Sequence, residues 1–326
     1  MDTLYKYYSS RLELENYLLN PTIKLAQKAC LNDPFEGKFT QQAINIISKK
    51  SDTELNTGIH INEIEFIVQR TIEEMSRSLG VVSLSETQRN LLMWAHYASE
   101  HKGVCIGYKK DMFENLPNKL EQDVPCYSYK PLKVNYDTVM FDEEQVSLLN
   151  KLETFKQQDA VNLLSKAIRT KSDDWMYEKE HRLIVPVEWS DYIEIHNVKR
   201  IPGYVYDVIE KMQRSRSYRV DSDKNKLTIK RADKAQMELF DAVIGQSFEN
   251  KLASYKETLF LKEVAIDNIQ SIHLGAHYPA SKEQTLINLI EKNETLHHIT
   301  LYKYELSNER FELTANIRPS KSSDSR

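Results

Sequence analysis

The sequence predicts an α+β protein with a mixed or antiparallel central sheet and flanking helices. Three observations carry that expectation. Strand-like and helix-like stretches interleave without a regular βαβ rhythm, which argues against a doubly wound sheet. Ile61 to Leu79 sets Ile61, Ile64, Val68, Ile72, Met75 and Leu79 on one stripe, as an amphipathic helix requires. The composition is ordinary for a globular chain, 40% hydrophobic and 28% charged over 326 residues, which is enough apolar surface for a real core.

The elements follow in order. Leu4 to Tyr8 is a short aromatic strand, Leu12 to Leu19 has helical spacing, and Asn20-Pro21 stops it. Ile23 to Leu25 is a second strand leading into the turn Asn32-Asp33-Pro34-Phe35-Glu36-Gly37. After the amphipathic stretch, Gly80 stands where a left-handed helix cap belongs. Val81 to Leu84 suits a buried strand, and Ser85-Glu86-Thr87-Gln88 reads as a capping box opening the next helix. Val104 to Tyr108 and Tyr127 to Asn135 read as strands, and Glu143 to about Thr170 has long helical periodicity. Leu183 to Val187 is a strand with Pro186 as an edge or end signal. Thr258 to Ile266, Ile269 to Leu274 and Ile299 to Tyr304 are further strands, and Ser281 to Glu291 is a capped helix. The expected organisation is a single domain over 1–317, with a basic insertion near 204–240 and a disordered tail over 318–326. Two folding units meeting near Val198 to Gly203 are the alternative.

Several function classes fall away at this level. With 44 basic and 48 acidic residues the net charge is −4, so no overall basic field recruits nucleic acid or membrane. Cys30, Cys105 and Cys126 are sparse and far apart, which suits free thiols rather than a disulfide framework or a cysteine-rich zinc site. No signal-like segment and no run of about 18 apolar residues is present, so a cytoplasmic location without membrane association is expected. Neither standard glycine-rich phosphate loop occurs in a chain with only 8 glycines. Lys211 to Lys234 holds nine basic residues against three acidic ones. It reads either as a solvated excursion with a small hairpin near Asp223-Lys224-Asn225 or as a phosphate-backbone patch.

Three polar motifs hold the candidate site residues. In the first, Lys6 and Tyr7 lie on the opening strand with side chains on opposite faces. Asn32, Asp33 and Glu36 lie in the turn that follows, where Asp33 either builds the turn around a core-anchored Phe35 or joins Glu36 at a cleft. The second motif is Met93 to Gly103. On a helix Trp94, Tyr97, Ala98 and His101 share a face that either packs in a core or stacks on a ligand ring. His96 lies off that face, Lys102 closes the motif, and the His96–His101 spacing does not fit a helical zinc pair, so no metal site is expected there. The third is Trp175 to Arg182. In an extended chain Glu178, Glu180 and Arg182 share a face, as an exposed ion-pair ladder, as a catalytic carboxylate oriented by Arg182, or as a buried bidentate pair with a purely structural role. A one-residue shift exchanges the neighbours of the two glutamates.

Together, the Asn32–Glu36 turn, the Met93–Gly103 run and Trp-x-Tyr-Glu-x-Glu-x-Arg at 175–182 resemble the signature set of a bacterial domain-of-unknown-function family numbered 2971. Leu4 to Ser9 and Ile269 to Gly275 resemble that family's ends, so the likeness runs from about Leu4 to Tyr304. A looser likeness is to small ADP-ribosyltransferase domains. In that pattern Lys6-Tyr7 stands at the first-strand motif, Tyr97 at the aromatic motif and Glu180 at the last strand, although Lys6 replaces the usual His or Arg. The resemblance implies an NAD-using transferase or NAD glycohydrolase, with a role in defence or toxin systems and an unidentified macromolecular acceptor. Glu180 would be catalytic, Arg182 its orienter, and Tyr7, Trp94 and Tyr97 the ring clamp. Two rival readings stand beside it. One is a metal-dependent nuclease or phosphodiesterase, with Asp33, Glu36, Glu178 and Glu180 as oxygen ligands, Lys102 on a phosphate and Lys211 to Lys234 on nucleic acid. The other is a non-catalytic ligand-sensing or interaction module.

Overall fold

The computed structural model describes residues 2–55, 60–114, 127–223, 225–231 and 247–318. The earlier strands are β1 (Thr3–Tyr8), β2 (Thr22–Leu25), β3 (Leu79–Ser85), β4 (Val104–Lys109), β5 (Ser128–Lys133), β6 (Asn135–Asp137), β7 (Thr170–Ser172) and β8 (Glu180–Pro186). The later ones are β9 (Tyr192–His196), β10 (Tyr218–Asp223), β11 (Lys226–Arg231), β12 (Thr258–Glu263), β13 (Ile269–Leu274), β14 (Thr300–Leu306) and β15 (Leu313–Ile317). The helices are α1 (Leu14–Leu19), α2 (Gln41–Leu55), α3 (Ile61–Arg77), α4 (Leu91–Tyr97), α5 (Glu143–Lys151), α6 (Gln157–Ala167), α7 (Gly203–Arg214), α8 (Phe248–Leu252) and α9 (Ala280–Lys292).

An eight-stranded sheet runs β15-β14-β13-β4-β1-β3-β8-β5, and a five-stranded sheet runs β10-β11-β9-β12-β2. Every pairing is antiparallel except β13 with β14 and the small β6–β7 pair, which are parallel. This is the mixed, mainly antiparallel α+β architecture that the interleaved pattern predicts. The largest core draws on both sheets, with Leu4, Val82, Ile106 and Ile272 from one and Ile23, Ile193, Leu227 and Phe260 from the other. A second core packs α3 and α6 on β3 and β8 through Met75, Leu79, Leu164, Ile168 and Ile184. The expected stripe of α3 is realised, with Ile64, Ile72 and Met75 buried.

Several local expectations are corrected. Gly80 caps no helix, because α3 ends at Arg77 and Gly80 lies within β3. Its missing side chain matters for packing: a Cβ there would meet Leu25 Cβ at 2.7 Å. Ser85 does not open a helix either. Its hydroxyl donates to the Glu178 carbonyl at 2.7 Å, and α4 is capped instead by Asn90, whose side chain accepts from the Leu92 and Met93 amides. The 143–170 periodicity resolves into α5, a break, α6 and then β7. The α9 prediction holds in extent, but no side chain caps the helix. α7, β9 and the α2 helix carried no clear sequence signal.

The basic segment is built into the second sheet: β10 and β11 form the expected hairpin, and β11 pairs with β9. Its charges are largely met in place, through Arg214–Glu210 (2.7 Å), Arg219–Asp221 (3.1 Å), Lys226–Glu194 (2.9 Å) and Arg231–Glu249 (2.7 Å). Lys224 and Lys234 lie outside the described residues, as do Cys126 and the tail beyond Arg318. Cys30 and Cys105 are free thiols. Among the described residues no helix is long and apolar enough to cross a membrane.

Candidate functional site

The turn at 32–37 is fixed by Asp33. Its carboxylate accepts the Phe35 amide at 2.8 Å, and its second oxygen accepts the Ser172 amide of β7 at 3.2 Å. Asp33 therefore follows the turn-building reading. Phe35, expected as the core anchor, points outward and is 56% exposed. The residue the turn drives inward is Glu36, which is 3% exposed. Gly37 follows at φ 63, in the left-handed region that glycine tolerates, with its amide on the Ala167 carbonyl at 3.3 Å.

β7 delivers Lys171 to the same place. A 3-10 turn, Asp173–Glu178, then ends at Lys179, which has φ 46, and β8 begins at Glu180. Glu178 and Glu180 are thus separated by a left-handed residue and do not share an extended strand, as the ladder reading assumed. Their carboxylates nevertheless converge. Lys171 Nζ lies 2.5 Å from Glu178 Oε2, 3.3 Å from Glu180 Oε2 and 3.3 Å from Glu36 Oε1. Arg182 holds Glu180 with two hydrogen bonds, Nε to Oε1 at 2.7 Å and Nη2 to Oε2 at 3.0 Å. Its Nη2 also lies 3.0 Å from Glu36 Oε2, and its Nη1 donates to the Ile168 carbonyl at 2.5 Å. All five side chains are buried.

Burying charge costs several kcal/mol per ion, and only close pairing offsets it. Three carboxylates here meet two cations. Burial raises the Glu36 pKa despite Arg182 and Lys171, and it raises the Glu178 pKa despite Lys171 and the Tyr97 hydroxyl. A proton on either of these groups cancels the excess negative charge. Burial works against ionisation of Glu180 as well, but Arg182 and then Lys171 overcome it and hold the carboxyl at about 2. Burial alone would lower Lys171, and the three glutamates reverse the sign and raise it.

The cluster is closed on its outer side by aromatic groups. Tyr97 donates to Glu178 Oε1 and accepts from the exposed Asn32 amide at 3.0 Å. The His96 ring stands 6.4 Å from Tyr97 and 6.3 Å from Tyr177, and Tyr177 stands 6.2 Å from Trp175. Lys171 Nζ sits 4.5 Å over the Trp175 ring, a cation–π contact. Met176 beside them is 57% exposed. On another side, the Glu180 amide donates to the hydroxyl of the half-buried Tyr136 at 2.7 Å.

The structure thus gathers Asn32, Asp33, Glu36, His96, Tyr97, Glu178, Glu180 and Arg182. It does not bring in four other expected residues. Trp94 and Tyr7 are core side chains, packed edge-to-face at 5.2 Å, with their polar atoms spent on the Gln88 and Thr87 carbonyls. They cannot clamp a ligand ring, because neither presents a face to solvent. Lys6 donates to the Ser83 carbonyl at 3.1 Å, and burial lowers its pKa to about 8 against the pull of Glu180. Lys102 is exposed and pairs with Glu100 at 3.4 Å. Nor does the face of Trp94, Tyr97 and His101 arise from helix alone. α4 ends at Tyr97, and Ser99, Glu100 and His101 take φ of 47, 55 and 67.

Lys171 and Tyr136 are the members that motif reading missed. Lys171 had one usable signal: three acidic residues assigned to one site with a single arginine leave a cation unaccounted for.

Residues 93–183 match the model of a family described as Protein of unknown function (DUF2971). The matched stretch contains Tyr97, Lys171, Trp175, Glu178, Glu180 and Arg182, and is narrower than the Leu4–Tyr304 span suggested by the motifs. No curated protein and no solved structure matches the chain.

Proposed function

We propose that the chain is an enzyme acting on a nucleotide-type substrate, with NAD as the first candidate, and that Glu178 is the carboxylate facing that substrate. The observation that carries this reading is the asymmetry of the two glutamates. Glu180 is locked by Arg182 and held ionised, whereas Glu178 has a raised pKa and is capped by the half-buried Tyr97, against which Asn32 and His96 stand, with Tyr177 beside His96. A planar ring with polar edges fits such a rim. In the reaction the glycosidic C–N bond of NAD breaks and nicotinamide leaves with the bonding electron pair. Positive charge then develops on the ribose, and fixed negative charge stabilises it. In its ionised form, a carboxylate whose pKa is raised is the stronger base, suited to take the proton from the incoming water or acceptor. Glu180, Arg182 and Lys171 are positioning residues for Glu178. Lys171 supplies, at 2.5–3.3 Å from three carboxylates, the positive charge that a metal ion would bring, which weighs against the metal-dependent nuclease.

Incubation with NAD, with and without cell lysate, followed by assay of nicotinamide tests the proposal. Glu178→Gln should cut release about 100-fold while leaving the thermal midpoint near that of the parent. Equal release by parent and variant would sink the assignment of Glu178, and no release by the parent under either condition would sink NAD as substrate. The closed ionic contacts of the cluster favour one second reading, a non-catalytic module whose ionic scaffold holds the rim for ligand binding. Saturable ring-ligand binding without turnover would favour that alternative.

A further inference from the structure

Beside the charge cluster, two adjoining open hollows run along the surface formed by β5, β6, α6 and β7. They measure about 610 and 440 Å³ and share Lys133 and Asn135 as lining residues. The first is completed by Glu86, Val134, Tyr136, Met176 and Lys179, and the second by Asn162, Ser165, Lys166, Arg169 and Thr170. Taken as one groove, the walls carry four cations, Lys133, Lys166, Arg169 and Lys179, against one carboxylate, Glu86. In a chain of net charge −4 that is a local reversal of sign.

The pairing of these charges is unlike that of the β10–β11 hairpin. Glu86 is occupied by His181 at 2.8 Å and by Lys133 at 3.5 Å. Lys166, Arg169 and Lys179 have no acidic partner among the described residues. Arg169 spends its Nε on the Ser165 carbonyl at 2.9 Å, which leaves the amino end of the guanidinium available. Neutral hydrogen-bonding side chains, Asn135, Asn162 and Thr170, line the same hollows as the cations, and Tyr136 and the exposed Met176 line the first of them.

We propose that this groove binds a nucleic-acid strand through its phosphodiester backbone. Cations without acidic partners, lining one groove together with amides and hydroxyls, suit the phosphates and sugar oxygens of a strand. A tyrosine and a thioether in the first hollow offer apolar contact to a base. An acidic peptide is less well served, because carboxylate recognition favours bidentate arginine and the groove holds only one, already partly committed to Ser165. This inference does not depend on the reading of Glu178. Tyr136 links the two places, since it lines the groove and accepts the Glu180 amide.

The test is fluorescence polarisation with a labelled single-stranded 20-mer, as DNA and as RNA, titrated with the full chain from 50 to 200 mM salt. Binding should weaken with salt, and the double variant Lys166→Glu/Lys179→Glu should lose at least tenfold in affinity and flatten the log–log salt slope by roughly 1.4, as two lost phosphate contacts require. Lys211→Glu/Arg216→Glu, an equal charge change on the other basic segment, should bind like the parent. No binding by the parent at 50 mM salt, or equal loss in both double variants, would overturn the proposal. So would displacement of the strand by polyglutamate as effectively as by unlabelled strand, which would mark the groove as a surface for acidic protein.

Discussion

Two polar interiors share the eight-stranded sheet and are built on opposite principles. Around Glu36, Lys171, Glu178, Glu180 and Arg182 the chain buries charges and closes them against one another. Around His273 on β13 it buries a titratable group and keeps it neutral. That ring lies flat against Tyr302, with centroids 4.6 Å apart and planes 4° apart, and has Tyr5 edge-on at 5.6 Å. Its Nε2 meets the Ser271 hydroxyl at 2.9 Å, and burial lowers its pKa to about 3. The contrast teaches how each interior fails. The paired cluster fails when a cation is removed, because the carboxylates left behind have neither water nor enough counter-charge. The neutral one fails when a proton is forced on it.

The largest effect should come from breaking the paired interior. Arg182→Met strips the counter-charge from Glu180 and Glu36 and should cost on the order of 3–5 kcal/mol in denaturant unfolding. Parent-like stability would mean that the cluster is not held by pairing.

The second experiment separates the two interiors by pH. His273 has a folded pKa below its ordinary 6.5, so its contribution is complete above pH 6.5 and drains away as pH falls toward about 3. Glu180 is also lowered, from 4.5 to about 2, so its contribution is lost only below pH 4.5. Glu36 and Glu178 are raised, and acidification relieves rather than adds to their cost. Between pH 6.5 and 4.5 the decline should come chiefly from the more deeply buried His273, about 2 kcal/mol by pH 5, with a smaller share from His101, whose pKa burial also lowers. His273→Phe should flatten that limb in urea unfolding and leave the one below pH 4.5. An unchanged slope would remove His273 from the comparison.

The smallest effect calibrates both. Arg219→Ala in the β10–β11 hairpin removes an exposed pair with Asp221 and should change stability by less than about 0.5 kcal/mol in the same assay. A larger loss would show that surface pairs also carry this fold.

How far the sequence spoke depends on whether a signal was local. The α3 stripe was legible because its apolar residues recur on one helix face, and β4, β13 and β14 because apolar runs of that length suit buried strands. Ser85 misled because its hydroxyl has a better partner 93 residues away, the Glu178 carbonyl. Gly80 misled because its reason is the approach of Leu25 from another sheet. The candidate site was half visible. Glu36, Tyr97, Glu178, Glu180 and Arg182 lie in dense motifs, whereas Lys171 is an isolated lysine whose role exists only once β7 is beside β8. The basic groove left no trace in the sequence, since its four cations come from separate elements. The conspicuous run at 211–234 concealed how many acidic partners the fold supplies.

The place of β1 also bears on the birth of the chain. It is an interior strand, with Tyr5 opposite Ser85 on one side and Gly107 on the other. At roughly 5–20 residues per second a ribosome needs roughly 4–16 seconds to reach the first of those partners and longer for the second. Throughout that interval an aromatic strand with both hydrogen-bonding edges open protrudes into a crowded compartment. Holding factors that bind short apolar segments have their natural target there, and a message cut short before β4 yields a fragment that exposes it permanently.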